Sequence, residues 1–288
     1  MEIKSVGVLG CGLMGAGIAQ VAAAAGFRTI VNEVDGARLD QGFGRIRAFL
    51  DEGVRRGKVA AENRDATLSR LEKTTSMDAL ADCDLVVEAI VENLEEKRRT
   101  YAALEAVLGE SAILLTNTSS LCVTELAAST GRPDRVAGLH FFNPVPLMKL
   151  VEVIRALPTS EDTYQQTVNF ARRLGKEPIT APDRPGFIVN RLLVPYLLDA
   201  VRAYENGLGT LEDIDKGMTL GCGYPMGPFT LLDFVGLDTT YYIANIMFEE
   251  FREPAYAPPP LLKRMVLAGR LGRKSGRGFY AYGATAAP

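Results

Sequence analysis

Apolar positions in this chain fall into short unbroken blocks separated by longer stretches of helical periodicity. Residues 3–9 (Ile-Lys-Ser-Val-Gly-Val-Leu) read as a buried strand, and residues 14–25 as a helix of small residues ending near Gly26. A second strand is predicted at 28–33. A long charged helical stretch follows over roughly 36–72, interrupted near Gly53–Gly57. Next come a strand at 84–89, a helix at 93–108, a strand at 112–116 and a short helix at 123–128. Strands near 135–140 and 150–154, a helix at 161–174 and a strand at 177–180 complete the alternation. Strands alternating with helices predict a mainly parallel, doubly wound α/β sheet.

The pattern changes after Ala181-Pro182-Asp183-Arg184-Pro185-Gly186, where two prolines and a glycine suit a domain junction. Segments 187–206, 210–220, 228–235, 236–252 and 260–269 all read as helical, with Pro195 expected to kink the first. No strand is expected until the last few residues, and the tail Ala284–Pro288 is expected to fray. The expected organisation is a Rossmann-type domain over 1–184 and an all-α domain over 185–288.

Gly10-Cys11-Gly12-Leu13-Met14-Gly15 is a GxGxxG between the first strand and the first helix. In that context Gly10 allows a tight turn, Gly12 lets the backbone approach a pyrophosphate, and Gly15 lets helix and strand pack closely. The helix N-terminus offers amides and a positive dipole end to phosphates. Glu33 ends the second strand 21 residues beyond Gly12, placed to accept hydrogen bonds from an adenosine ribose and to repel a 2′-phosphate. NAD is the expected cofactor. The motif alone also admits an FAD-binding half, and Arg28 and Arg38 weigh against a strict exclusion of NADP. Ala89 and Ile90, at the end of the strand at 84–89, are expected to line the nicotinamide half. Glu92 either bonds the nicotinamide-side ribose or helps to cap the helix that starts at Asn93.

Composition narrows the chemistry. Apolar residues make up 47% and charged residues 23%, and the net charge of −3 argues against a general nucleic-acid binder. The four cysteines (Cys11, Cys83, Cys122, Cys222) lack metal-ligand spacing, so reduced thiols packed as small hydrophobes are expected, with no metal site. No uncharged apolar run spans a membrane, and a first strand starting at Ile3 leaves no room for a signal peptide, so a cytoplasmic protein is expected.

His140 is the only histidine. It follows a strand end, as does Thr116-Asn117-Thr118-Ser119-Ser120, so both are expected at the sheet edge where ligands bind. Twelve residues on, Glu152 could orient the imidazole for proton transfer, or pair instead with Lys149 or Arg155 as a solvated ion pair. Ser119 could bond a substrate oxygen, and Ser120 could cap the helix at 123–128.

The segment His140-Phe-Phe-Asn-Pro-Val-Pro-Leu-Met-Lys-Leu-Val-Glu152 closely resembles the active-site segment of (S)-3-hydroxyacyl-CoA dehydrogenases. So do Val87-Glu-Ala-Ile-Val-Glu-Asn-Leu, Asn117-Thr-Ser-Ser, Pro185-Gly-Phe-Ile-Val-Asn-Arg-Leu-Leu, Gly223-Tyr-Pro-Met-Gly-Pro, Gly236-Leu-Asp and Gly278-Phe-Tyr, in family order. The resemblance implies an NAD-binding domain, a helical dimerisation domain and substrates carried on coenzyme A. It implies His140 as general acid/base with Glu152 as its partner, Ser119 at the substrate oxygen and Asn190 as the second domain's site residue. Of the basic candidates for the coenzyme A phosphates, Arg55, Arg56 and Lys58, it favours Lys58; a solvated charged face is the alternative.

The nearest rival is a dehydrogenase of free hydroxy acids such as L-gulonate. A different class is a non-catalytic, crystallin-like recruit of the fold. A multifunctional fatty-oxidation enzyme is not expected, since there is no room for a hydratase domain. A homodimer through residues 185–288 is expected from the many apolar positions on the helix that carries Leu192 to Leu198. Butyryl-length, medium-chain and dicarboxylic acyl groups all remain compatible.

Overall fold

A computed structural model describes residues 2–283, so the tail expectation for Ala284–Pro288 lies outside the described residues. The chain divides between Asp183 and Arg184 into two compact units.

The first unit is built on eight strands: β1 (Ser5–Leu9), β2 (Arg28–Asn32), β3 (Leu71–Thr74), β4 (Leu85–Glu88), β5 (Ile113–Thr116), β6 (Val136–Phe141), β7 (Leu150–Arg155) and β8 (Glu177–Pro182). They form one sheet in the order β3-β2-β1-β4-β5-β6-β7-β8. Every pairing is parallel except β6 with β7. The order reverses between β1 and β4, the point where doubly wound sheets open a crevice at their carboxyl ends. The helices are α1 (Leu13–Ala24), α2 (Gly36–Arg55), α3 (Ala61–Ser69), α4 (Leu94–Val107), α5 (Val123–Ala128) and α6 (Glu161–Arg173).

The charged stretch after Glu33 differs from its expected form. Two helices, at 36–55 and 61–69, take up most of it, but residues 71–74 form β3, a strand paired parallel to β2. Leu71-Glu72-Lys73-Thr74 has only half-buried or exposed side chains. An edge strand of four residues with one apolar position carries too little hydrophobic signal to stand out from a helix, and backbone pairing with β2 decides its state.

Local chemistry sets the helix starts. The Asp35 carboxylate accepts from the Ala37 and Arg38 amides, Asn93 Oδ1 from Glu96, and Ser160 Oγ from Thr163. The start of α5 is served differently. Its cap position, Cys122, offers no side-chain bond, and the amides of Val123 and Thr124 donate at 2.9 and 2.6 Å to the Asp183 carboxylate from 60 residues away. Ser120 is therefore not the cap expected from its position.

The second unit holds α7 (Val189–Glu205), α8 (Leu211–Lys216), α9 (Pro228–Val235), α10 (Leu237–Phe251) and α11 (Pro260–Leu267). Helix α7 runs through Pro195. The segment expected as one helix over 210–220 is α8 followed by a wider π-type turn at Gly217–Gly221. Val194, Leu197, Phe229, Leu232, Ala244 and Met247 are among the residues of its core. Two buried carboxylates organise its end: Asp215 accepts from the Phe229 and Thr230 amides, and Asp233 from the Phe279 and Tyr280 amides. Among the described residues no helix is long and apolar enough to cross a membrane.

Asp183→Ala removes both acceptors at the start of α5 and should cost about 1–3 kcal/mol. A urea midpoint unchanged from that of the parent chain would show that Asp183 is dispensable there.

Candidate active site

The glycine loop has the geometry its sequence predicts. Gly10 has φ +87°, and a Cβ there would lie 2.6 Å from the Ala89 carbonyl oxygen, so only glycine lets the ends of β1 and β4 meet. At Gly15 a Cβ would fall 1.9 Å from the Gly10 oxygen, whereas at Gly12 it would meet nothing within 4 Å. Leu13 and Met14 open α1, whose first turn has neither a side-chain cap nor an acidic residue. Those amides and the open face at Gly12 suit a phosphate. The Glu33 carboxylate accepts from the Cys11 amide at 2.9 Å and the Val34 amide at 3.0 Å, which fastens it against the loop instead of leaving it in solvent. Next to it Asn32 Nδ2 is buried and makes no hydrogen bond. A dinucleotide fits this set: amides for its phosphates, a carboxylate and an orphaned amide group for its hydroxyls. Arg28 is bound in a bidentate pair to Glu72 at 2.7 and 2.9 Å.

Strand β4 delivers a second group of residues. Ala89 and Ile90 follow it, half-buried beside the glycine loop. Asn93 caps α4, so Glu92 is not the cap. Its Oε1 instead accepts from Thr118 Oγ1 at 2.5 Å, the Ser119 amide at 2.9 Å and Ser120 Oγ at 3.2 Å, with Ser119 Oγ at 3.4 Å. Burial alone would raise the Glu92 carboxyl, but the Lys97 ammonium and these hydrogen bonds outweigh it and hold it below its usual range.

The antiparallel register of β6 and β7 sets His140 directly opposite Glu152. The ring Nδ1 lies 2.7 Å from Glu152 Oε2, with the glutamate wholly buried and the histidine 6% exposed. The carboxylate form of Glu152 only accepts, so in a pairing with that form Nδ1 is the donor and Nε2 is the ring nitrogen able to take up a proton. Phe142 packs against the imidazole with ring centroids 4.6 Å apart. Neither solvated alternative for Glu152 is found: Arg155 pairs with Glu161 at 2.6 Å, and Lys149 is exposed. Asn117 ties the two halves of the site together, its Oδ1 accepting from the Phe141 amide at 2.8 Å.

The remaining expected positions have the following surroundings. Lys58 is exposed in the turn between α2 and α3, while Arg55 and Arg56 both bind Glu52, whose carboxyl they pull down to about 2. Asn190 belongs to the other compact unit, one residue into α7 and half-buried. Of the cysteines, Cys11 and Cys83 are buried, but Cys222 is exposed, which corrects its expected packing. Burial, reinforced by the Glu33 charge, pushes the Cys11 thiol up to about 11. Among the described residues no cluster of side chains could hold a metal ion.

Residues that sequence reasoning missed include Lys97 and Lys176. Lys176 is buried, with Nζ donating to the Val145 carbonyl at 2.5 Å and the Met148 carbonyl at 2.8 Å. It thereby clamps the connection between His140 and Glu152. A lysine just after a helix looks like a solvated end group, and no local pattern marks it as buried.

A dinucleotide fold whose carboxyl edge carries a buried His–Glu pair defines a nicotinamide-dependent dehydrogenase. The family model described as 3-hydroxyacyl-CoA dehydrogenase, NAD binding domain, matches residues 5–184, and that described as 3-hydroxyacyl-CoA dehydrogenase, C-terminal domain, matches 186–282. The chain belongs to the 3-hydroxyacyl-CoA dehydrogenase family. It is 50% identical over 282 residues to a 3-hydroxybutyryl-CoA dehydrogenase of Mycobacterium tuberculosis, covering 97% of this chain and 99% of the relative. It is 49% identical to the mitochondrial hydroxyacyl-coenzyme A dehydrogenase of Homo sapiens, covering 97% and 91%. The crystal structure of the (S)-3-hydroxybutyryl-CoA dehydrogenase of Ralstonia eutropha superposes with a TM-score of 0.94 at 42% identity, covering 98% and 99%.

Lys176→Met leaves two buried carbonyls without their donor and should cost about 1–3 kcal/mol. Lys176→Arg should recover part of that loss, and thermal unfolding of the two variants beside the parent checks the order.

Proposed function

We propose that this protein catalyses the reversible NAD-dependent oxidation of (S)-3-hydroxyacyl-CoA to 3-oxoacyl-CoA, with acetoacetyl-CoA as a substrate for the reverse reaction. The observation that carries this reading is the buried His140–Glu152 contact of 2.7 Å at the carboxyl edge of a dinucleotide-binding sheet. Relatives near 50% identity carry the corresponding names.

NAD, when bound, supplies the hydride acceptor for oxidation and the hydride donor for reduction. Gly10, Gly12, Leu13, Met14 and Gly15 hold its phosphates, Glu33 its adenosine ribose, and Ala89, Ile90 and Glu92 the nicotinamide half. His140 Nε2 takes the proton of the substrate 3-hydroxyl in oxidation and returns it to the oxygen in reduction. Glu152 keeps Nδ1 protonated and offsets the imidazolium charge as it forms. Ser119 holds the substrate oxygen and fixes its approach. Asn190 takes its role in this reading from the motif at 185–193 alone.

Lys58 is the basic candidate for the coenzyme A phosphates, since Arg55 and Arg56 are already engaged by Glu52. A homodimer forms through residues 185–288, a reading supported by Leu192, Leu208, Leu220 and Leu267, each more than two-thirds exposed. The working compartment in this reading is the cytoplasm.

Consumption of NADH with acetoacetyl-CoA tests the reaction. Oxidation of free L-gulonate with no turnover of acetoacetyl-CoA would move the chain to the free-acid branch. His140→Gln should lower kcat at least ~10²-fold while NADH binding persists. NADPH should support far slower turnover than NADH, because its 2′-phosphate meets the Glu33 carboxylate; comparable rates would overturn the NAD assignment.

A further inference from the structure

A cleft of about 460 Å³ opens on the first unit, where the ends of α1 and α6 meet the connection from β6 to β7. The mechanism above uses none of it. Small-molecule sites commonly enclose about 300–1,000 Å³, so its size suits a ligand. Apolar side chains form its walls, among them Val21, Ala25, Pro146, Leu147 and Met148. Leu147 is 63% exposed and Met148 40%, so part of this apolar surface is left in water. Three cations also line the cleft, Lys149, Arg173 and Lys176, and among the described residues no acidic one does.

The two inner cations are held by uncharged groups. Lys176 is buried, and its Nζ donates to the Val145 and Met148 carbonyls, which leaves one N–H and the whole charge without an anion. Burial alone holds that ammonium below its usual range, with no carboxylate to raise it. Arg173 donates to the Ile3 carbonyl at 2.9 Å and lies 4.2 Å from the centre of the Phe27 ring, and neither partner neutralises it. Lys149 is exposed. Nor are these cations needed to cap the helix ends. At the end of α1 the Val21, Ala22 and Ala23 carbonyls accept from the Ala25, Phe27 and Gly26 amides. At the end of α6 the Phe170, Ala171 and Arg172 carbonyls accept from the Leu174, Lys176 and Gly175 amides.

We propose that this cleft binds a monocarboxylate that carries an apolar chain, its head paired with the cations and its chain laid on the wall of α1 and the 146–148 segment. The carboxylate supplies the charge that the site lacks, through charge-assisted hydrogen bonds. The chain covers apolar surface that water otherwise meets. An inorganic anion satisfies only the first need, and an uncharged alcohol only the second.

Equilibrium dialysis of the whole chain against radiolabelled octanoate tests this. One molecule should bind per chain, with a Kd below ~1 mM. Acetate and octan-1-ol, as competitors, should each bind at least ~10-fold more weakly, one lacking the chain and the other the charge. Leu147→Asp and Lys149→Glu change exposed side chains, so the fold should survive, and each should weaken octanoate at least ~10-fold. NAD and acetoacetyl-CoA together, both oxidised and therefore unreactive with each other, should leave octanoate binding unchanged at saturation. Acetate binding as tightly as octanoate would mean an adventitious ion only, and octan-1-ol doing so an unspecific apolar surface; either overturns the proposal. Displacement by NAD and acetoacetyl-CoA would place octanoate in the reaction site and overturn it as well. So would affinity that neither substitution moves, or no binding below ~1 mM.

Discussion

The antiparallel contact between β6 and β7 is the constraint on which the site depends. It is the one antiparallel pairing in the sheet, and it sets His140 across from Glu152. Side chains alternate faces along a strand, so a slip of one residue would send Glu152 to the other side and leave a carboxylate buried without its partner. The surroundings hold the register from both ends. Asn117 fastens Phe141, Lys176 clamps the Val145 and Met148 carbonyls, and β8 pairs with β7 along its length. Apolar neighbours such as Leu139, Val151 and Val153 then bury the strands that carry the pair.

A second theme is charge kept away from water. Ion pairs at the surface, such as Arg155 with Glu161, contribute little, with typical values of about 0–1 kcal/mol. Glu88–Lys97 and His140–Glu152 are different, because each partner is almost wholly buried. Desolvation offsets much of the attraction in such pairs, so their net contribution to stability is small while the loss of one partner is costly, about 3–5 kcal/mol. Their worth lies in direction: a buried carboxylate with few ways to satisfy itself holds its donors in one geometry. The serine loop and the imidazole are both held this way.

Much of the architecture was legible. Short apolar blocks bounded by glycine and polar residues mark seven of the eight strands, and the GxGxxG between strand and helix marks the nucleotide loop. The exceptions each have a definite cause. Leu71–Thr74 has one apolar residue in four and becomes a strand because β2 offers it an edge. Gly217–Gly221 departs from a regular helix in a stretch with two glycines. Ser120 has the chemistry of a cap, but Glu92 captures its hydroxyl and Asp183 serves the helix amides. At β3 and at Ser120 a partner distant in sequence outcompetes the local preference.

The sequence by itself determined the two-part plan, the glycine loop with its acidic residue at Glu33, and the candidate pair His140 and Glu152, because periodicity, turn chemistry and spacing are local properties. The tertiary structure alone decided which acid meets which base. That Glu152 faces His140 and not Arg155, that Lys97 lies between Glu88 and Glu92, and that Lys176 is buried all depend on strand register and helix placement. Register and placement are settled by burying a whole sheet at once, so no window of the chain can carry them.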